Sequence, residues 1–232
     1  MKYEDRVICF IDILGFKESI ERSVIDEKSI DEITRVISVL EENFKSTFKE
    51  YRQVTQFSDS LAVSFLVSEK DQVFHFIIEL RGFLICLADE GIFFRGGIAA
   101  GKLLHTDKLF FGPAFIKAYE LEKLANYPRV IFDEKLLDQL IGHGLVGSNE
   151  ESGSYVRKDC DGLYYLDYID CEDWFEGASD YGAGTYRDYL EKFSKTIGDQ
   201  LTSAMDKKVR QKYQWLANKC NQIIKKQTGW VP

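Results

Sequence analysis

The run Val7-Ile8-Cys9-Phe10-Ile11 constrains this chain more than any other segment: five apolar residues in succession, stopped by Asp12 and punctuated by Gly15. Continuous rather than alternating hydrophobicity reads as a strand buried on both faces. Residues 6–13 are therefore predicted as a central strand with a carboxylate at its end. Such a strand needs a large core around it, and the chain can supply one. It has 232 residues, 45% of them hydrophobic, with 17 Phe, 12 Tyr and only 3 Pro, which excludes disorder, collagen-like repeats and low complexity.

The formal net charge of −8 argues against non-specific affinity for nucleic acid or anionic membrane. It leaves room for a small anionic ligand held by a few local cations or by metal. Cys9, Cys86, Cys160, Cys171 and Cys220 are scattered and form no CxxC pair, which fits a reducing cytosol rather than a disulfide framework or a zinc knuckle. The N-terminal residues lack the pattern of a signal peptide, and the longest apolar stretches are strand-sized. A soluble cytoplasmic protein is expected, with no membrane span.

Ile30, Ile33, Val36, Ile37, Leu40 and Phe44 recur at three-and-four spacing, so residues 29–50 are predicted as an amphipathic helix. Two β-prone runs, residues 52–57 and 61–67, flank Ser58-Asp59-Ser60 and predict a hairpin with Asp59 at its tip. A second helix over residues 70–90 stops at Gly91. Residues 92–104 form a strand whose Gly96, Gly97 and Gly101 imply close approach of another backbone. A short extended piece (108–111), a helix opened by Gly112-Pro113, a strand (129–132) and a brief helix capped by Asp133 follow.

This order predicts an α+β fold: a palm-like, mainly antiparallel sheet with helices on one face. The first strand beside the hairpin would bring Asp12 and Asp59 to one edge. Residues 1–144 read as the catalytic core. Residues 145–232 read as an extension packed on that core, loop-rich to about 185, with one strand (163–169) and then two helices (185–204 and 206–226). The basic side of the last helix, Lys207, Lys208, Arg210 and Lys212, reads as a solvated face. The glycine-rich stretch 177–184 reads as a mobile flap.

Asp12 in FIDILGF and Asp59 in QFSDSLAVSF carry the sharpest chemical signal. Two carboxylates at neighbouring strand ends repel unless a cation neutralises them. Together with a backbone carbonyl, that of Ile13, they suit Mg²⁺ or Mn²⁺, which favour oxygen ligands and keep waters for a phosphate to displace. Between strand and helix, Gly15 and Phe16 offer backbone N–H groups to a triphosphate. The plain alternative makes Asp12 a turn residue and Asp59 a hairpin-tip residue. His75, His105 and His143 lack metalloprotease spacing and read as structural or surface residues.

FIDILGF, the SDS hairpin, FRGGIAAGKL, FGPAFIKAYELEKLA and PRVIFD, in that order, resemble the motifs of class III nucleotidyl cyclases. With KVRQKYQWLANKCN near the end, the chain looks most like the bacterial pyrimidine cyclases of Pycsar antiphage defence. The resemblance implies a homodimer with active sites at the subunit interface and two divalent ions held by Asp12 and Asp59. It implies attack of a nucleotide 3′-oxygen on the α-phosphorus, release of pyrophosphate, and a 3′,5′-cyclic nucleotide. One ion would lower the pKa of the attacking hydroxyl and the other would bind the triphosphate. The product would act on a separate effector.

The departures are as informative. Purine-using relatives carry a base-reading lysine where this chain has Thr55 and an aspartate where it has Leu109. Thr55, with Tyr51 on the same strand face, suits a smaller base read by hydroxyl hydrogen bonds and stacking. Arg52 should point the other way and serve the interface, and Gln56 is a further candidate reader. The asparagine and arginine expected on the helix after Gly112 are Ile116 and Glu120, so Arg95, Lys102 and Lys117 are candidates for the missing transition-state cation. UTP is the expected substrate, then CTP. A purine cyclase and a catalytically degenerate nucleotide-binding module are the other readings.

Overall fold

A computed structural model describes residues 2–45, 52–67, 70–142, 155–178, 184–203 and 206–228. In chain order the elements are β1 (Glu4–Ile13), α1 (Phe16–Ser23), α2 (Glu27–Lys45), β2 (Arg52–Phe57), β3 (Ser60–Leu66), α3 (Lys70–Asp89) and β4 (Phe94–His105). Then come β5 (Phe110–Phe111), α4 (Pro113–Ala125), β6 (Val130–Phe132), α5 (Glu134–Gly142), β7 (Val156–Lys158), β8 (Tyr164–Leu166), α6 (Glu172–Ala178), α7 (Tyr186–Ser203) and α8 (Lys207–Thr228).

Among the described residues the strands form one sheet in the order β2-β3-β1-β4-β6-β8-β7, with β5 paired to β4. Every pairing is antiparallel except β4 with β6. The α+β fold with a mainly antiparallel sheet is therefore what forms, but its helices lie on both faces and not on one, α3 against the Phe65 side and α4 against the Gly97 side. β1 lies between β3 and β4, and its apolar run is buried throughout, which is why it shows no polar alternation. β2 and β3 are joined by Ser58-Asp59, with Ser58 at φ 52°, so the hairpin places Asp59 at its tip.

The alternation of β1 separates two faces. Val7 and its register partner Phe65 look toward α3, where Phe65 meets Phe76 at 5.4 Å. Phe10 and its partner Gly97 look the other way, toward α4, which lies across β4 on this second face. Gly97 is required there: a Cβ would stand 2.4 Å from both the Ala118 carbonyl oxygen and the Leu121 Cβ. The glycines of this strand thus mark a helix pressed onto it. An aromatic row crosses the same face, from Phe57 to Phe110 (5.6 Å), Phe115 (4.5 Å) and Phe10 (5.5 Å).

The C-terminal segment differs from the sequence expectation in detail. The strand over 163–169 shortens to β8, and β7 precedes it. Through Ile131↔Tyr165, β8 continues the main sheet. The helix α6 falls where only loops were expected. Three arginines hold this region down. Arg129, fully buried, donates to Asp159 (2.6 Å) and to Asp161. Arg157 pairs with Asp167 and Asp170, both at 2.6 Å. Arg81 donates to Asp173 and to the carbonyls of Asp167 and Asp170. Tyrosine hydroxyls complete the seam: Tyr168 donates to Pro128 O, Tyr186 to Ile169 O and Tyr189 to Tyr168 O. The glycine-rich flap expected at 177–184 falls largely outside the described residues, and Gly177 itself lies in α6.

Candidate active site

The sheet brings Asp12 and Asp59 together. Asp12, next to last in β1, pairs with Ser60, the first residue of β3, and the Ile13 N–H donates to the Asp59 carbonyl at 2.9 Å. Burial raises the Asp12 carboxyl above its ordinary value; Arg95 opposes this, Asp59 adds to it, and Lys212 opposes it further. The carboxylates are therefore close enough to feel each other, as the sequence implied.

Arg95 stands in register beside Asp12 on β4, its Nη2 3.4 Å from Asp12 Oδ2. Its Nε is 2.5 Å from Glu122 Oε1, an ion pair without hydrogen-bond alignment. Glu122 is buried on the sheet side of α4; burial raises its pKa, Arg95 lowers it and the Asp12 charge raises it again. Lys212 of α8 completes the group. Burial lowers its pKa, as does Arg95, while Asp12, Glu18 and Glu122 raise it. Two carboxylates, a buried glutamate and two cations thus share the end of β1.

Of the other candidate cations, neither Lys102 nor Lys117 reaches this place within one chain. Lys102 pairs with Asp5 at 2.7 Å, seven residues along the strand from Arg95, ~23 Å at the strand rise. Lys117 lies 3.5 Å from Asp133 at the start of α5 and is exposed. The expected solvated face of α8 holds for Lys207, Lys208 and Arg210, which are exposed. It fails for Lys212, because α8 folds back to the β1 edge.

Gly15 caps α1 at φ 76°, with no side-chain cap and open space where a Cβ would be. The first N–H groups of α1 therefore face an uncrowded approach. Phe16 buries its ring in the core, so only its backbone is offered to a ligand.

Tyr51 lies outside the described residues. Thr55 faces the same side as Asp12, since it pairs with Ala62, which in turn pairs with Phe10. Arg52 and Gln56 point to the opposite side, and Arg52 is held by Glu79 of α3 at 2.5 Å. Arg52 is thus tied into the α3 layer, not the interface role expected for it. The Thr55 hydroxyl is 2.8 Å from His105 Nε2, and His105 Nδ1 is 2.8 Å from Ser64 Oγ, which accepts from Arg6 Nη1 at 3.1 Å. His105 is buried, His75 is exposed, and His143 lies outside the described residues.

Sequence reasoning missed Glu122, Lys212 and the role of His105. A signal existed for Glu122, which continues the buried spacing of Ala114, Ala118, Leu121 and Ala125 on α4. Lys212 sits just off the stripe of Val209, Tyr213 and Leu216, and only the long-range fold reveals what it faces.

Could this site hold divalent metal? The donor set fits in kind: two hard carboxylates in partial burial, mutually repulsive, beside a strand-end carbonyl. Among the described residues, no group of three or more His, Cys, Asp or Glu side chains is arranged to hold a metal ion. Any ion would rest on Asp12, Asp59, the Ile13 carbonyl and its own waters. Two cavities, of about 610 and about 460 Å³, lie between α8 and the β7–β8 edge and behind the Gly15 turn. Neither is lined by Asp12 or Asp59.

No family model matches the chain, and no curated protein matches it in sequence. Solved structures with a similar chain path include a bacterial light-regulated adenylyl cyclase, at 12% identity and TM-score 0.47, covering 84% of this chain and 100% of that one. A class III adenylyl cyclase-like ATP-binding protein from Pseudomonas aeruginosa has 14% identity and TM-score 0.46, over 88% of this chain and 46% of that one. The guanylyl cyclase domain of the RhoGC fusion protein from Blastocladiella emersonii has 11% identity and TM-score 0.44, over 72% and 96%. Among the described residues no helix is long and apolar enough to cross a membrane.

Proposed function

We propose that this chain is a nucleotide cyclase that converts UTP, and less readily CTP, to the 3′,5′-cyclic monophosphate and pyrophosphate, as a signal in antiphage defence. The observation that carries the reading is the meeting of Asp12 and Asp59 at the end of a buried strand, beside the uncapped start of α1. Asp12, Asp59 and the Ile13 carbonyl would hold Mn²⁺ or Mg²⁺. Bound there, the metal supplies activation of the 3′-hydroxyl and charge neutralisation on the triphosphate.

The protein's own groups divide the remaining work. Backbone N–H groups at Gly15 and Phe16 orient the phosphates. Arg95 and Lys212 stabilise the negative charge that grows on the departing pyrophosphate, filling the role left open by Ile116 and Glu120. Glu122 positions Arg95. Thr55 faces the base. Exposed Phe57 and Tyr119, which flank the aromatic row on the Asp12 face through Phe110 and Phe10, suit contact with a second copy of the chain, as a homodimer with interfacial sites requires. Lys102 and Lys117 would then serve only across that contact.

Incubating the protein with each of the four labelled nucleoside triphosphates and Mn²⁺ tests the reading. Cyclic UMP as the main product is expected; a cyclic purine product overturns the base assignment. Nucleotide binding without turnover would select the degenerate-module reading, which the residues Ile116 and Glu120 favour.

A further inference from the structure

A buried polar chain on the Asp12 face has a direction that its chemistry fixes. Ser64 is fully buried, and its Oγ has two partners: Arg6 Nη1 at 3.1 Å and His105 Nδ1 at 2.8 Å. A guanidinium only donates. The Ser64 hydroxyl hydrogen must go to an acceptor, because a buried hydroxyl left unpaired is destabilising, and the acceptor beside it is His105 Nδ1. With Nδ1 accepting, a neutral imidazole carries its proton on Nε2. Burial, helped by the Arg6 charge, holds His105 down to about 4, so the ring is neutral near pH 7. Nε2–H therefore donates to Thr55 Oγ1 at 2.8 Å.

Thr55 then has its own hydrogen left to give. It sits on the open side of β2, half-buried, two residues before the exposed Phe57 ring on the same strand face. Phe57 contacts Phe110, which also contacts the His105 ring at 4.4 Å, so the hydroxyl emerges beside an aromatic surface on which a base can stack.

We propose that Arg6, Ser64 and His105 form a directional relay that leaves the Thr55 hydroxyl as an outward hydrogen-bond donor, and that this donor selects uracil over cytosine. The inference rests on the nucleotide-binding role proposed above. At ring position 4 uracil presents a carbonyl oxygen and cytosine an amino group, the same distinction that separates these bases in a nucleic-acid groove. The carbonyl satisfies the Thr55 hydrogen; the amino group leaves it unpaired. His105 is thus a positioning residue, and Thr55 is the group that touches the base.

Two measurements on the full chain test this separately. In ¹⁵N-labelled protein at pH 7, with the signals assigned by their loss in His105→Gln, the imidazole is expected as the Nε2–H tautomer. An Nδ1–H tautomer or an imidazolium overturns the relay. Binding of the non-cyclisable α,β-methylene analogues of UTP and CTP with Mn²⁺ is measured by calorimetry, which needs no turnover. The uridine analogue is expected to bind about 10-fold more tightly, the worth of one hydrogen bond. Thr55→Val should erase the difference and Thr55→Ser keep it. His105→Gln, whose amide both accepts and donates, should keep it as well, and His105→Phe should erase it. Equal binding in the wild type, a preference for the cytidine analogue, or a preference that survives Thr55→Val each overturns the proposal. A uridine preference without any cyclic product would leave it standing and refute the cyclase reading instead.

Discussion

The Nη2 of Arg95 stands 3.4 Å from Oδ2 of Asp12, on the neighbouring strand and directly opposite in register. The same guanidinium faces buried Glu122, so one cation neutralises carboxylates from two layers. Arg95→Met should therefore cost about 2–3 kcal/mol in urea unfolding, less than for a fully buried pair because Arg95 is partly exposed. Adding Glu122→Gln should restore most of that stability, since the orphaned charge is gone, while activity stays low. If the double variant is as unstable as the single, Glu122 is not what Arg95 stabilises.

On the proposed function Mn²⁺ should raise the melting temperature of the wild type, and Asp12→Asn and Asp59→Asn should each abolish that rise and lower turnover more than 100-fold. Without metal neither variant should melt lower than the wild type, because each removes one of two repelling charges at a partly buried edge. Thermal scans with and without Mn²⁺ check both halves.

Stability should fall as pH drops from about 6.5 to about 4. The ordinary histidine value is 6.5 and burial holds His105 to about 4, so across this window the unfolded chain binds a proton that the folded chain does not. Folding stability therefore rises with pH there. Urea titrations between pH 4 and 7 should show a shallower slope in His105→Gln than in the wild type.

Two glycine replacements should act in opposite directions. Gly97→Ala pushes a methyl into the α4 backbone at 2.4 Å and should cost about 1–3 kcal/mol or more. Gly198→Ala, inside α7 with nothing near its would-be Cβ, should gain about 0.5–1 kcal/mol. Shifts in the urea midpoint measure both.

Much of the frame is visible in the residues themselves. The β1 run announces a central strand, the SDS triplet between two β-prone runs announces the hairpin, and the glycines at 96, 97 and 101 announce a pressed-on neighbour. Local pattern suffices for these because each depends on a few adjacent positions. Lys212 is different. Its neighbours Lys207, Lys208 and Arg210 are solvated, and only a contact spanning most of the chain turns it toward Asp12. The Ser64–His105 contact joins residues 41 positions apart and leaves no periodic trace. The helix α6, seven residues with a glycine inside, is too short and too poor in helix signals to stand out.

Asp159 grips α8 at mid-length: it accepts from Trp215 Nε1 at 2.8 Å and from Lys219 Nζ at 2.9 Å, and Arg129 holds it from below. Lys212 projects from the same rod only ~5 Å earlier along the axis, counted from Trp215. The final helix is thereby a shared strut, fastened to the far rim of the sheet and leaning on its acidic edge. A chimaera that borrowed this helix from another protein would disturb both places in a single exchange.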